Sequence, residues 1–360
     1  LPSSYYGYMG LSSLTSNYND NPGITQSQLE NKELTWETNY NFNSGIDLGF
    51  FDNRLNVTFE YYVRTTKNLL YSRPLSLATG FSSYLANIGK LQNKGYELEI
   101  RSTNIETKDF RWSTSLNLGH NANKILKLDG DLKQVTSGTS IHKVGLPYST
   151  YYMIEFAGID PVDGEPMFYK NTTDENGNLN KETTKDPRSA EKVILQCADP
   201  TITGGLGNSI SYKWFDLGLT FTYSLGGYSF DKTGTLIETD GSKEKSYNLP
   251  VYALDRWQKP GDRTDVPRFV LEQGAGPQNS SRYIHSTDHI RLKNLTLGFT
   301  LPGRWVQKAL IENARVYFSG SNLLTWAKWK QYDPEVPVNG EVFCEAPPMR
   351  TFNFGVEITF

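Results

Sequence analysis

The chain has 360 residues, a formal net charge of −3 and a pI near 5.9, so no electrostatic case exists for a nucleic-acid partner, which would need basic patches. Aromatic residues reach 13% (22 Tyr, 18 Phe and 7 Trp), while hydrophobic residues are only 37% and the mean hydropathy is −0.52. No window approaches the run of about 18 apolar residues that a membrane helix requires, which excludes a helical membrane protein.

In chain order, a leading strand is expected around Tyr5 to Leu14 and another ending near Phe50. Asp52-Asn53 then makes a tight turn into LNVTFEYYV, where Leu55, Val57, Phe59, Tyr61 and Val63 share one face. YELEIR sets Tyr96, Leu98 and Ile100 against Glu97, Glu99 and Arg101, and WSTSLNL sets Trp112, Thr114, Leu116 and Leu118 against polar partners. Two short runs, Tyr151–Ile159 and Pro166–Lys170, are placed as a hairpin within the longest connection. DLGLTFTYSL alternates again, with Leu217, Leu219, Phe221, Tyr223 and Leu225 on one side. RLKNLTLGFTL slips phase, since Leu292 is even and Leu295, Leu297, Phe299 and Leu301 are odd. A β-bulge near Asn294 restores one apolar face. The chain closes on RTFNFGVEITF, with Phe352, Phe354, Val356, Ile358 and Phe360 alternating with polar residues.

Alternation alone does not separate a soluble sandwich from a membrane barrel, but the connections do. Short links (Asp52-Asn53, Asn104 to Asp109, Lys213 to Phe215) take turns with long ones (Ser72 to Lys90, Asn123 to about Gly205, Ser229 to Thr287, Lys328 to Met349), with a moderate link at Pro302 to Asn313. Short periplasmic turns and long extracellular loops are the signature of an up-and-down outer-membrane barrel. Charge placement agrees: Glu60, Glu97, Glu99, Arg101 and Glu357 all fall on the face opposite the apolar one. The fold class is therefore all-β, an antiparallel transmembrane barrel with a polar lumen and about ten strands in this chain.

Several stretches carry a specific resemblance in order along the chain: YGYMGL, NKELTWE, FFDNRLNVTFEYYVRTTKNLL, NIGKLQNKGYELEI, FAGIDPVDGEPMFY, RWQKPGDRTDVPRF, HIRLKNLTLGFTLP, VYFSGSNLLTWAKWKQYDPE and RTFNFGVEITF. Together they resemble the C-terminal barrel portion of SusC/RagA-type TonB-dependent outer-membrane transporters. The resemblance implies that residues 1–360 supply about the last ten strands of a 22-stranded barrel, with the plug domain and TonB box lying outside this sequence. It implies import of a nutrient, most often an oligosaccharide and less often a peptide, across the outer membrane of a Gram-negative bacterium. A SusD-like surface lipoprotein is implied as a lid, TonB–ExbB–ExbD as the energy source through the N-terminal part, and a second copy as assembly partner. No cofactor and no enzymatic step are implied, the energy coming from the proton-motive force. The opening residues LPSSYYGYMG lack an initiator Met and a signal peptide, which fits a piece of a longer chain better than a mature form. A terminal aromatic is what barrel-insertion machinery reads in this family, which assigns that role to Phe360.

Candidate sites lie in the long connections. Tyr148, Tyr151, Tyr152, Phe156 and Tyr169 in one, and Tyr247, Tyr252, Trp257 and Tyr283 in another, offer flat faces for sugar rings or, as the plainer reading, pack the loops and the aromatic girdle. Tyr148, Tyr151, Tyr152, Trp257 and Tyr283 are the cargo candidates, while Trp326 and Trp329 read as girdle anchors. RWQKPGDRTDVPRF reads as a loop scaffold or partner contact through Arg256, Trp257, Pro260, Gly261, Asp262, Asp265 and Arg268. Its Pro260-Gly261-Asp262 segment signals a turn, and Arg256, Arg263 and Arg268 have Asp255, Asp262 and Asp265 as available partners. Asp174, Asn176, Asn178 and Asn180 read as an ordinary loop tip, because Gly177 comes too early for a calcium loop. Cys197 and Cys344 and the four histidines lack metal-ligand spacing. Rival readings are a surface glycan-binding or adhesin barrel without transport, and a secreted glycoside hydrolase using Asp160, Asp163 and Glu165.

Overall fold

The computed structural model describes residues 6–18, 21–87, 89–128, 132–238, 240–241, 247–271, 279–306 and 311–360. Nine strands form one antiparallel sheet: β1 (Thr38–Phe50), β2 (Leu55–Lys67), β3 (Lys90–Glu106), β4 (Phe110–Lys127), β5 (Ile202–Tyr212), β6 (Phe215–Leu225), β7 (His289–Thr300), β8 (Asn313–Ala327) and β9 (Thr351–Thr359). Their order in space follows their order in sequence, the meander expected of an up-and-down wall, and β1 and β9 stand at its open edges.

Period-two alternation fixes what each face carries. On one face, apolar rows cross the strands in register: Ile46, Phe59, Leu98 and Leu118 in one, and Leu217, Leu297, Phe318 and Phe354 in another. These side chains face outward, with Phe354 82% exposed and Phe42 60% exposed, far more contiguous apolar surface than a water-soluble protein tolerates. The opposite face is polar except near the long-loop end, where Leu91 pairs with Ile125. One row reads Asp47, Thr58, Glu99, Asn117, Gly205, Thr222 and Arg291 across seven neighbouring strands.

The short turns cluster at one end. Phe51, Asp52 and Asn53 all hold positive φ (56°, 54° and 62°), a conformation that the Asp and Asn side chains tolerate. Lys213, also left-handed, donates its N–H to Asp109 O at 2.8 Å and so ties two adjacent turns. The long connections gather at the other end.

The phase slip in β7 is a bulge. Thr220 faces Asn294 and Phe221 faces Leu292, so Lys293 has no partner on β6 and Leu292 returns to the apolar face. β8 answers with an irregularity of its own, where Asn322 adopts φ 54°. Glycine matters at two places on the polar face. A Cβ at Gly298 would collide with both members of the Asp216–Arg315 ion pair (2.7 Å), which reaches across β7. A Cβ at Gly355 would strike the Tyr317 ring, which lies over it as tyrosines often cover strand glycines.

Two expectations are corrected. The leading segment is not a tenth wall strand: Leu11–Tyr18 pairs only with Asn21–Gln28, in a separate hairpin, and Tyr5 lies outside the described residues. In the longest connection, Phe156–Ile159 pairs with Pro166–Tyr169 as a hairpin, but Thr150–Ile154 joins Lys192–Cys197 instead.

Leu98 sits midway along β3 in the apolar row, so Leu98→Arg should destabilise the lipid-embedded barrel by about 2–4 kcal/mol. Glu97→Gln, on the polar face, should change it by less than about 0.5 kcal/mol. Denaturant unfolding of the intact protein in lipid vesicles measures both.

Candidate functional site

Over the far end of the wall, three long connections interlock into a layer with its own small core. Tyr151, Met153, Phe230 and Tyr283 are 1–5% exposed and pack together, with Leu195, Ala198, Tyr228 and Ile284 around them. Their junction is the carbonyl of Gly340. It accepts the Phe230 N–H at 2.8 Å, the Tyr151 hydroxyl at 2.6 Å and the Ser229 hydroxyl at 3.1 Å. Those donors come from residues 128–201 and 226–288, while Gly340 belongs to 328–350. Beside it, Glu341–Val342 runs parallel to Tyr228–Asp231, and Val342 is fully buried. Gly340 holds φ 73°, and a Cβ there would lie 2.5 Å from Ala198 and 2.6 Å from the Tyr151 hydroxyl. Burial pushes the Tyr151 pKa up, so the phenol stays protonated and donates.

A second junction joins two of the sequence motifs. The turn within IDPVDGEP receives the segment RWQKPGDRTDVPRF through backbone groups. Trp257 Nε1 and Gly261 N both donate to Pro161 O (3.1 and 2.7 Å), and Arg268 N donates to Gly164 O at 2.9 Å. The Trp257 ring covers Gly164, where any Cβ would strike the indole. Asp262 Oδ2 accepts the N–H groups of Gln258 and Lys259, which fixes the Pro260-Gly261-Asp262 turn. The arginines do not pair with the neighbouring aspartates as the sequence suggested: Arg268 reaches Glu165 at 2.6 Å instead, and Asp265 is exposed. Arg256 ends the short helix Val251–Asp255 through its backbone N–H.

The remaining candidates divide by burial. Tyr151 and Tyr283 have both ring faces filled by the layer's core, and Arg282 stacks on Tyr283 (5.4 Å), so neither offers a platform to a ligand here. Tyr152, one residue on, points to the other side and is half-buried; Tyr148 is exposed and meets His142 edge-on at 4.2 Å. Trp326 stands 53% exposed on the apolar face, as a girdle residue would. Trp329 does not: it is 4% exposed, stacked between His285 (4.7 Å) and Tyr332 (5.7 Å). Burial pushes the His285 pKa down to about 4, with Arg282 adding to the shift, so that imidazole is neutral near pH 7.

The carboxylates weighed for acid/base work are held as ion-pair partners. Lys185 bridges Asp160 (2.6 Å) and Asp163 (2.5 Å), and its hydrogen bonds hold both carboxyls below their usual pKa range. Asp174 accepts the N–H groups of Asn176 and Asn178 at 2.9 and 2.7 Å, a closed loop tip. Among the described residues, no three His, Cys, Asp or Glu side chains converge as a metal would require. Cys197 and Cys344 are both free thiols.

One functional group escaped sequence reasoning. Arg291, 1% exposed on β7, makes a two-pronged pair with Asp333 (2.7 Å to each oxygen) and a 3.3 Å contact with Glu335. Lys293, the bulge residue, holds Glu335 as well at 3.0 Å. The bulge turns two cations toward one loop, and the partners lie about forty residues onward in YDPE, beyond any local pattern.

A meandering wall that is apolar outside, polar inside and capped by interlocked loops at one end defines a transmembrane β-barrel of the outer-membrane kind. A family model, TonB dependent receptor-like, beta-barrel, matches residues 1–323, and the chain belongs to that family. "TonB-dependent receptor P3" of Formosa agariphila is 32% identical over 94% of this chain and 36% of its own length. "TonB-dependent receptor SusC" of Bacteroides thetaiotaomicron is 30% identical over 92% of this chain and 32% of its own. The solved RagAB peptide transporter superposes with a TM-score of 0.84 at 31% identity, covering 99% of this chain and 39% of that one. The chain thus spans about a third of the curated relatives it matches and corresponds to a barrel portion of the SusC/RagA type.

Tyr151→Phe should loosen the loop layer by about 1 kcal/mol, the net worth of one hydrogen bond. Gly340→Ala should cost more, because it adds strain at positive φ and two collisions. Limited proteolysis of the intact protein reads both as faster cleavage within 128–201. Asp231, 4% exposed, has its pKa pushed up to about 6 by burial, against the Gly234 N–H that lowers it. The folded layer therefore holds that proton more tightly than the unfolded chain does, and stability falls as pH rises from about 4 to 6. Asp231→Asn should flatten this dependence, read by amide exchange of residues 228–234 across that range.

Proposed function

We propose that the protein carrying this chain imports an oligosaccharide across the outer membrane of a Gram-negative bacterium. The observation that carries the reading is the two-faced wall in a chain of the SusC/RagA type, closed at one end by a built loop layer. The cargo class is supported by the lumenal rows, where Asn41, Asn93, Asn117, Asn121, Asn123, Ser113 and Ser115 present neutral amides and hydroxyls. Such groups match sugar hydroxyls in both directions, as donors and acceptors. Peptide import is the second reading, favoured by the likeness to the RagAB peptide transporter.

In this mechanism cargo binds at the mouth, a SusD-like lipoprotein closes over it, and a plug on the N-terminal side rearranges under force from TonB–ExbB–ExbD. Proton-motive force supplies the energy, with no cofactor and no covalent step. Tyr148 and Tyr152 are the ring faces assigned to cargo, while Tyr151 and Tyr283 hold the layer that presents them and Trp257 locks the joint over Gly164. The Arg256–Arg268 segment is a scaffold whose exposed Arg263 and Asp265 face the lipoprotein. Phe360 serves barrel insertion, and a second copy completes the assembly.

Growth and uptake measured on a panel of glycans and peptides, with and without the intact gene, tests the proposal. The expected result is loss of uptake of one glycan. Loss on peptides alone would transfer the assignment to the second reading. Unchanged uptake with lost glycan adhesion would establish a binding barrel in place of a transporter.

A further inference from the structure

The last two wall strands part company before they reach the outer rim. β8 and β9 pair only from Asn313–Thr359 to Ser321–Thr351, so Asn322 to Ala327 has no β9 partner. Pro347 and Pro348 explain the split: neither has an N–H to offer a ladder, and both fix φ near −65°. Ties above the split run from Asn322 Nδ2 to Met349 O at 3.1 Å and from the Tyr332 hydroxyl to Glu345 O. Between the diverging segments lies a groove of about 990 Å³, whose lining includes Trp326, Lys330, Tyr332, Pro347, Pro348 and Arg350 and, from the polar side, the paired Arg291 and Asp333.

The position of the groove is set by the apolar belt. Ile290, Leu324 and Trp326, 46–53% exposed, are the belt's uppermost side chains on β7 and β8, and the groove opens just above them on the long-loop side. That is the level of lipid headgroups, where an indole is at home. The charges there are uneven. Lys328 is paired with Asp288, Arg291 with Asp333, and Lys293 with Glu335. Lys330 and Arg350 are exposed and have no acidic partner among the described residues.

We propose that this groove binds the phosphate of an outer-leaflet lipid headgroup, with Lys330 and Arg350 as its two cations and Trp326 against the upper acyl region. The chemistry suits the partner. A phosphate carries more than one negative charge and accepts several hydrogen bonds, while Arg350 offers a planar fork and Lys330 a mobile point charge. Five-membered proline rings on one wall and aromatic rings on the other give the sugar or glycerol part apolar surface. The site uses none of the residues assigned to cargo, so its failure would leave the transport reading untouched.

Native mass spectrometry of the intact protein in detergent tests it, with bis-phosphorylated lipid A, the same lipid dephosphorylated, and inorganic phosphate as separate probes. The wild type should retain the phosphorylated lipid and bind the dephosphorylated one and free phosphate far more weakly. The double variant Lys330→Gln, Arg350→Gln should lose about twenty-five-fold in affinity, given roughly a factor of five per cation at an anionic surface. Lys330→Arg with Arg350→Lys should stay near wild type. A heat-dependent shift in gel mobility confirms that each variant is a folded barrel. Equal retention by the double variant, or by the dephosphorylated lipid, would overturn the proposal, and so would displacement of the lipid by equimolar phosphate.

Discussion

Within hydrocarbon, a backbone N–H or C=O without a partner costs several kcal/mol, so the ladder between neighbouring strands has to be continuous. The nine wall strands obey this from β1 to β9, with β9 leaving β8 only above Ser321–Thr351, and the period-two pleat then decides side-chain placement. A register error of one residue would carry Glu97 and Glu99 to lipid and Leu98 to the lumen. The one place where the sequence breaks phase is therefore met by a bulge at Lys293, which uses up the extra residue. That residue is not wasted: its ammonium joins Arg291 in holding the loop that carries Asp333 and Glu335.

Outside the hydrocarbon the constraint relaxes, and the character of the chain changes. The loops carry short sheets, parallel pairings and several left-handed residues, arrangements that a lipid-facing wall could not hold. Freed from the ladder, they need another source of order, and they build it from buried aromatics and bonds to single carbonyls such as Gly340 O and Pro161 O. These junctions link segments far apart in sequence, so the layer is a cooperative unit and not three independent loops.

This division explains what could be read in advance. Alternation and loop-length parity are local, and they carried the wall, the faces and even the bulge near Asn294. The hairpin Leu11–Gln28 misled because its pattern also suits a wall strand; only its pairing partner distinguishes the two. Trp329 sits two residues past the end of β8, where an anchoring role was natural, but His285 and Tyr332 enclose it from segments that no periodicity connects. Tyr151 and Tyr152 are adjacent and chemically identical, and the sequence holds nothing to say which would be core. In the structure, alternation along Thr150–Ile154 buries the first and half-frees the second.

The scaffold motif bears on where selectivity resides. RWQKPGDRTDVPRF grips the IDPVDGEP turn mainly through backbone atoms, at Pro161 O and Gly164 O, with Trp257 laid over a glycine that has no side chain to vary. Backbone acceptors are the same whatever residues surround them, so this joint keeps its form while neighbouring side chains change. A joint of that kind positions loops without reading what they hold. Selectivity for cargo then belongs to side chains that the joint leaves uncommitted, such as Tyr148 at the edge of the layer and Tyr152 on the reverse of its core strand.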